Sequence, residues 1–399
     1  MKKTNTGQNL YNKAKKIIPG GTHLLSKRPE LFLPDLWPSY YSKANGCHIW
    51  DLDNNKFTDL SHMGVGTNSL GYCNEFIDKE VNLAIKSGNM STLNSPQEVR
   101  LAEKLIELHD WADMVRFART GGEANSISIR IARASTGRDK VAICGYHGWH
   151  DWYLSANLSK SENLGGHLLP GLDPSGIPKS LVNTVFPFNY NRIDELKKII
   201  KENTDLAAVK MEVVRSVEPD EGFLEEVRRL CTKNNIVLIF DECTSGFRET
   251  FGGVHKKYNV YPDLCMFGKA LGNGYAITAV IGKREVMESA QKTFISSTFW
   301  TERIGPTAGL ATLNEMDKIK SWEIITSKGK IIKENWKKIA LKNKINIEIT
   351  GMDALATFVI KSHNWLKYKT YITQCMLEKG FLAANVIYTS TKHSQKILD

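Results

Sequence analysis

No stretch of the 399 residues approaches the roughly 20 consecutive apolar residues of a membrane-spanning helix. The opening residues, MKKTNTGQNLYNK, lack the apolar run that a secretory signal needs. No two cysteines have CxxC spacing, and the seven present are scattered and odd in number. That argues against a disulfide framework and for reduced thiols, as in the cytoplasm. No internal repeat, low-complexity tract or nucleic-acid-binding motif stands out. The expectation is a cytoplasmic protein with no membrane span and no nucleic-acid partner.

Hydrophobic residues make up 42% of the chain, enough for a sizeable core, and 399 residues suit two domains or one large domain with a smaller companion. The formal net charge is +10. Much of the excess lies in residues 318–344, where lysines recur at helical spacing with Glu323 and Glu334 among them. This reads as a solvated helix face, because basic composition alone says little about function.

The chain is organised around residues 236–274, IVLIFDECTSGFRETFGGVHKKYNVYPDLCMFGKALGNG. One aliphatic run, 236–240, ends on Asp241, and a second, 264–267, ends on Gly268-Lys269. Strands apolar almost throughout are the kind buried in a parallel sheet. An acid and a lysine leaving two such strands would sit at the sheet's carboxyl edge, where open α/β folds bind ligands. One carboxylate and one lysine at a cleft suit pyridoxal 5'-phosphate (PLP) chemistry. The lysine forms an imine with the cofactor, and the acid pairs with its pyridine nitrogen.

Other patterns set the frame. Residues 10–18 read as an amphipathic helix ended by Pro19-Gly20-Gly21, and 47–58 as a hairpin about an Asn-rich turn. Residues 62–72, HMGVGTNSLGY, are glycine-rich and irregular, and 158–180 read as a long surface loop. Arg119-Thr120-Gly121-Gly122-Glu123 feeds a helix to about Ala134, with Ala124, Ile127 and Ile131 as its apolar stripe. Such a turn suits a phosphate, although a plain helix cap is the commoner use. His147, His150 and His167 raise the question of a metal. The i,i+3 spacing of the first two could work on a helix, but no helix is indicated there and acids are not clustered correctly, so none is expected.

The motifs DECTSGFR (241–248), PDLCMFGKALGNG (262–274), RTGGEANSISIRIARASTGRDK (119–140) with YHG (146–148), IPGG (18–21) and DLDNNKFTDL (51–60) resemble those of the class III, fold-type I PLP aminotransferases. Among these, the chain is most similar to glutamate-1-semialdehyde 2,1-aminomutase and its relatives. The resemblance covers nearly the whole chain, with the motifs in family order. It implies an α/β large domain, a mostly parallel mixed sheet flanked by helices, at 63–310. A small α+β domain would come from both termini, 1–62 and 311–399. It also implies a homodimer with shared active sites and a small-molecule amine or keto substrate. Asp399 closes the chain where relatives typically have one more helix.

Carried over position by position, the resemblance implies that Lys269 forms the Schiff base and shuttles the substrate proton, and that Asp241 holds the ring nitrogen. Tyr146 would stack on the ring, Cys243 would pack under it, and Glu212 would lie near the site with Val213 in place of the family's Pro. Thr120, Gly121 and Gly122 would receive the phosphate in altered form, since the family commonly has a hydroxyl residue where Gly122 stands. Thr298 would reach the phosphate of the neighbouring subunit's cofactor. The 62–72 loop would approach the site, without the family's tryptophan near Met63 to Val65. Lys27, with Arg28 beside it, stands where the aminomutase has a carboxylate-binding arginine, and residues 300–303 depart from the usual continuation. Substrate choice is where the chain leaves the aminomutase pattern. An aminotransferase acting on an amino sugar or another cell-surface precursor is one alternative. A non-catalytic PLP- or nucleic-acid-binding regulator is another.

Overall fold

A computed structural model describes residues 6–167 and 171–399. Of the long loop expected over 158–180, residues 168–170 therefore lie outside the described residues. Seven strands build the larger sheet: β1 Met114–Ala118, β2 Lys140–Cys144, β3 Val185–Pro187, β4 Leu206–Met211, β5 Val237–Glu242, β6 Leu264–Phe267 and β7 Thr278–Gly282. They lie in the order β1-β7-β6-β5-β4-β2-β3. β7 runs antiparallel to both neighbours, and the other pairings are parallel. Strands β4 to β7 are buried at every residue. That burial is why their sequences are apolar runs rather than alternating ones.

Helix Gly121–Thr136 (α1) crosses one face of this sheet, against β4 to β7 and β1. Its Ile127 and Ile131 pack in one core with Ile239, Met266 and Val280. A Thr120–Glu123 capping box starts the helix and left-handed Gly137 ends it, as the Thr-x-x-Glu spacing and the glycine dictate.

The chain divides into two compact units: the described residues up to Asp78 with Met316–Asp399, and Lys79–Glu315. The sequence places these boundaries at 62/63 and 310/311. Residues 63–78 instead cluster with the terminal unit for a visible reason. Tyr72 bridges Gly46 and donates its hydroxyl to the buried Asp59 at 2.7 Å, while Ser390 bonds the Ser69 carbonyl. Segment 62–72 is irregular as expected, with Met63, Gly64 and Val65 at positive φ.

In the terminal unit, strands Tyr41–Asn45, His48–Asp51, Lys56–Asp59 and Phe381–Leu382 form one sheet, the last pairing parallel to the third. A three-stranded antiparallel sheet holds Ile347–Thr350, Leu355–Ile360 and Val386–Tyr388. The lysine-rich segment forms the helix Ser321–Lys342, burying Ile325, Gly329 and Ile332. Lys330, Lys337, Lys338 and Lys342 remain exposed, the solvated face its spacing implied.

Gly329 of that helix yields a stability prediction. Alanine is ordinarily the better helix former by about 1 kcal/mol. A Cβ at 329, however, would overlap the Asp353 carbonyl oxygen, whose residue is held by Lys333 at 2.9 Å. Gly329→Ala is therefore expected to lower unfolding free energy by about 1–3 kcal/mol in denaturant titration. A stabilised variant would contradict the close approach.

Candidate active site

β5 ends in two adjacent acids, and side chains on a strand alternate between faces. Asp241 and Glu242 accordingly serve different purposes. Asp241, 4% exposed, accepts from His147 Nδ1 at 2.8 Å and from the Cys243 backbone N–H at 3.1 Å. Burial by itself would raise its pKa. The His147 hydrogen bond, the Lys210 and His147 charges and the Cys243 N–H outweigh that and hold the carboxyl well below the usual range. The group is a buried, permanently charged carboxylate.

Lys210, fully buried on β4, is one source of that effect. Its Nζ donates to Ser128 Oγ at 3.1 Å and contacts Met266 Sδ at 2.9 Å. Met266 is the register partner of Asp241, so the lysine reaches across β5 at the level of the acid. Burial lowers its pKa to about 8, with Asp241 opposing the shift. At neutral pH it still carries its proton.

Glu242 lies with His255 and Cys265, a grouping that could be mistaken for a metal centre. Its carboxylate accepts from His255 Nδ1 at 2.6 Å, the His255 and Val254 backbone N–H groups and Ser245 Oγ. His255 Nε2 in turn accepts from Trp111 Nε1 at 3.1 Å, and burial pushes the Cys265 thiol well up. The lone pairs a cation would need are already committed. The three histidines weighed as ligands also have separate partners: His147 meets Asp241, His150 meets Ser126, and His167 accepts from the Gly145 N–H.

Lys269 follows β6 through the extended Gly268 and sits in the left-handed region at φ 44°. A non-glycine residue there is strained by about 1–3 kcal/mol, and such strain concentrates at functional positions. Its Nζ donates to Thr244 Oγ1 at 2.8 Å. A Cβ on Gly268 would stand 3.4 Å from Cys243 Sγ, and one on Gly121 3.9 Å from the same sulfur. Cys243 thus lies between the lysine's strand end and the start of α1. Burial and Asp241 raise its thiol pKa well above the ordinary value, so it packs and does not attack.

At the start of α1, the Thr120 hydroxyl donates to Glu123 Oε2 at 3.0 Å and accepts from the Glu123 N–H. The hydroxyl expected near a phosphate is committed to the helix cap. Gly121 and Gly122 carry the first N–H groups of the helix, the end favourable to an anion. Glu123 also accepts from Trp300 Nε1 at 3.1 Å. Arg119 pairs with Glu302 at 2.8 Å and donates to the Trp300 and Glu302 carbonyls. The unusual 300–303 segment is therefore a strap fastening Thr298's neighbourhood to α1. Thr298 itself is exposed.

Tyr146 is half-buried, its ring edge-on to Tyr153 at 6.0 Å. Glu212 accepts the Tyr146 N–H at 3.2 Å and pairs with Arg215 at 2.9 Å. Gly145, at φ +115°, leaves room for that carboxylate, 2.6 Å from where a Cβ would stand. Glu212 thus braces the loop that presents Tyr146. Lys27 and Arg28 belong to the terminal unit, the first exposed, the second packed against Gly20. Sequence reasoning passed over Thr244, Lys210 and the pairing of His147 with Asp241. His147 stood inside the quoted YHG motif, but its partner is 94 residues away.

The residues fit PLP. A fixed carboxylate beside a strand-end lysine, a half-buried aromatic and a glycine-lined helix start meet the needs of its ring nitrogen, aldehyde, ring face and phosphate. A family model for class-III aminotransferases matches residues 35–391. A 3-aminobutyryl-CoA aminotransferase of Cloacimonas acidaminovorans is 32% identical over 94% of this chain and 89% of its own. A glutamate-1-semialdehyde 2,1-aminomutase of Methanocaldococcus jannaschii is 30% identical over 100% and 96%. The FumI protein of Sphingopyxis sp. MTA144, solved with PLP, superposes at TM-score 0.88 with 22% identity, over 99% of this chain and 93% of its own. The chain belongs to the class-III aminotransferases, enzymes that move amino groups with pyridoxal phosphate.

Proposed function

We propose that Lys269 bonds the cofactor and moves the substrate proton, that Asp241 holds the ring nitrogen, and that the reaction is amino transfer between two small molecules. The observation that carries the site assignment is the pair of adjacent strand ends: Asp241 leaves β5 buried and charged, and Lys269 leaves β6 in a strained turn. When bound, PLP supplies a ring that accepts the electrons released at the amine-bearing carbon. Asp241, fixed by His147, keeps a proton on the ring nitrogen. Lys269 Nζ would take the proton from the substrate carbon and return it to the carbon on the other side of the shared nitrogen, with Thr244 orienting the amine between turnovers. Tyr146 covers one ring face and excludes water, while Cys243 fills the other side.

Exposed apolar residues support a dimer in which Thr298 serves the neighbouring subunit. Phe294 and Phe299, on either side of it in the chain, are 82% and 70% exposed, apolar side chains that a dimer interface at this segment would cover. Seven free cysteines, most of them buried, support a cytoplasmic home.

Lys27 in place of a carboxylate-binding arginine lacks the bidentate fork, which favours two-substrate transfer over the intramolecular mutase. A screen of the PLP-loaded enzyme with glutamate semialdehyde, β-amino acyl compounds and amino sugars tests this. Turnover is expected only once a keto acid is added as acceptor. Turnover of the semialdehyde alone would make the enzyme a mutase.

A further inference from the structure

Gly122 stands in the first turn of α1, and the space beside it is occupied. A Cβ at 122 would lie 2.8 Å from His150 Nε2 and 3.3 Å from Trp149 Nε1. The loop carrying both residues presses on the same turn: Gly148, at φ +99°, has its own Cβ position 3.4 Å from Gly122 Cα. The missing side chain at 122 and the imidazole that fills its place are one arrangement.

His150 is held for a purpose at Nε2. Its Nδ1 is hydrogen-bonded to Ser126 Oγ, one turn further along α1, and its carbonyl accepts from the Tyr153 N–H at 2.9 Å. Burial lowers its pKa, against the opposing charges of Glu123 and Asp151, which favours the neutral ring. The Ser126 hydroxyl can serve either tautomer, and the one in which it donates to Nδ1 carries the ring proton on Nε2. That N–H then joins the Gly121 and Gly122 backbone N–H groups at the helix start, none of which meets an acceptor among the described residues.

We propose that His150 Nε2 donates to the cofactor phosphate, supplying from the loop the hydrogen bond that a side chain at 122 cannot. This rests on the PLP reading above. The arrangement is a reciprocal pair: glycine at 122 admits the imidazole, and a hydroxyl residue there would displace it.

Equilibrium binding to the apoenzyme tests this, with PLP and its phosphate-free analogue pyridoxal as probes. His150→Ala is expected to weaken PLP about ten- to hundredfold, the loss of one hydrogen bond to a charged group, while pyridoxal affinity stays unchanged. Gly122→Ser alone should also weaken PLP, through collision with His150. The double variant Gly122→Ser/His150→Ala should recover most of the affinity, because the hydroxyl now has room. Equal PLP affinity in His150→Ala and the parent protein would overturn the proposal, as would equal losses for PLP and pyridoxal. Absence of PLP binding by the parent protein would instead sink the cofactor reading itself.

Discussion

Replacing Lys269 by alanine is expected to slow amino transfer at least about a thousandfold in single-turnover measurements, the upper part of what a positioned proton-transfer group contributes. The argument is local. The amine is the one group that the strained turn at φ 44° presents beside Cys243 and Thr244, and alanine removes both the covalent anchor and the proton carrier. The apoenzyme of this variant should still take up PLP without a covalent bond, since Asp241 and the start of α1 are untouched. An exogenous small amine should restore part of the rate by carrying the proton in the lysine's stead. A variant within tenfold of the parent rate would show that the proton moves by another route.

The second large effect is expected at Asp241. Asparagine keeps the shape and can still accept from His147, but it carries no charge toward the ring nitrogen. A fall of about 10²–10³ in rate is expected, the cost of removing one preorganised electrostatic partner, together with weaker retention of PLP. Alanine should do more damage. It would leave the buried His147 Nδ1 and Cys243 N–H without their acceptor, at about 1–3 kcal/mol for each unsatisfied group. Asp241→Asn, which loses the charge and one of the two acceptor oxygens, should unfold below the parent midpoint, and Asp241→Ala, which loses both acceptors, further below. Because the Asp241 carboxyl is held well below the usual range, the parent activity should show no acid limb from this residue above pH 5. If Asp241→Asn retained the parent rate, the ring nitrogen would have no need of the charge.

The strand ends were legible in the sequence because a fully buried parallel strand needs apolar residues at every position. The single charged residue that breaks such a run is then conspicuous, as Asp241 and Lys269 are. A helix cap at residues 119–123 was only the alternative to a phosphate site in the sequence, and the Thr120–Glu123 capping box realises it through a local hydrogen bond with fixed spacing. What could not be read were pairings between distant segments. His147 and His150 lie three residues apart, yet one serves Asp241 and the other Ser126. Their closeness in sequence raised the question of a shared ligand but could not name these separate partners. Lys210 is similar: a lone lysine in LAAVKM looks like an edge position, and only the crossing to Met266 shows its charge directed at Asp241. The boundary at residue 78 depends on Tyr72 and Asp59, a side-chain bond no periodicity announces.

The most direct measurement is borohydride reduction of the PLP-loaded enzyme, followed by peptide mapping. The account predicts that the yellow colour is lost and that the cofactor is fixed on Lys269 in the peptide containing GKALGNG. Fixation on another lysine, with buried Lys210 the sharpest alternative, would contradict it.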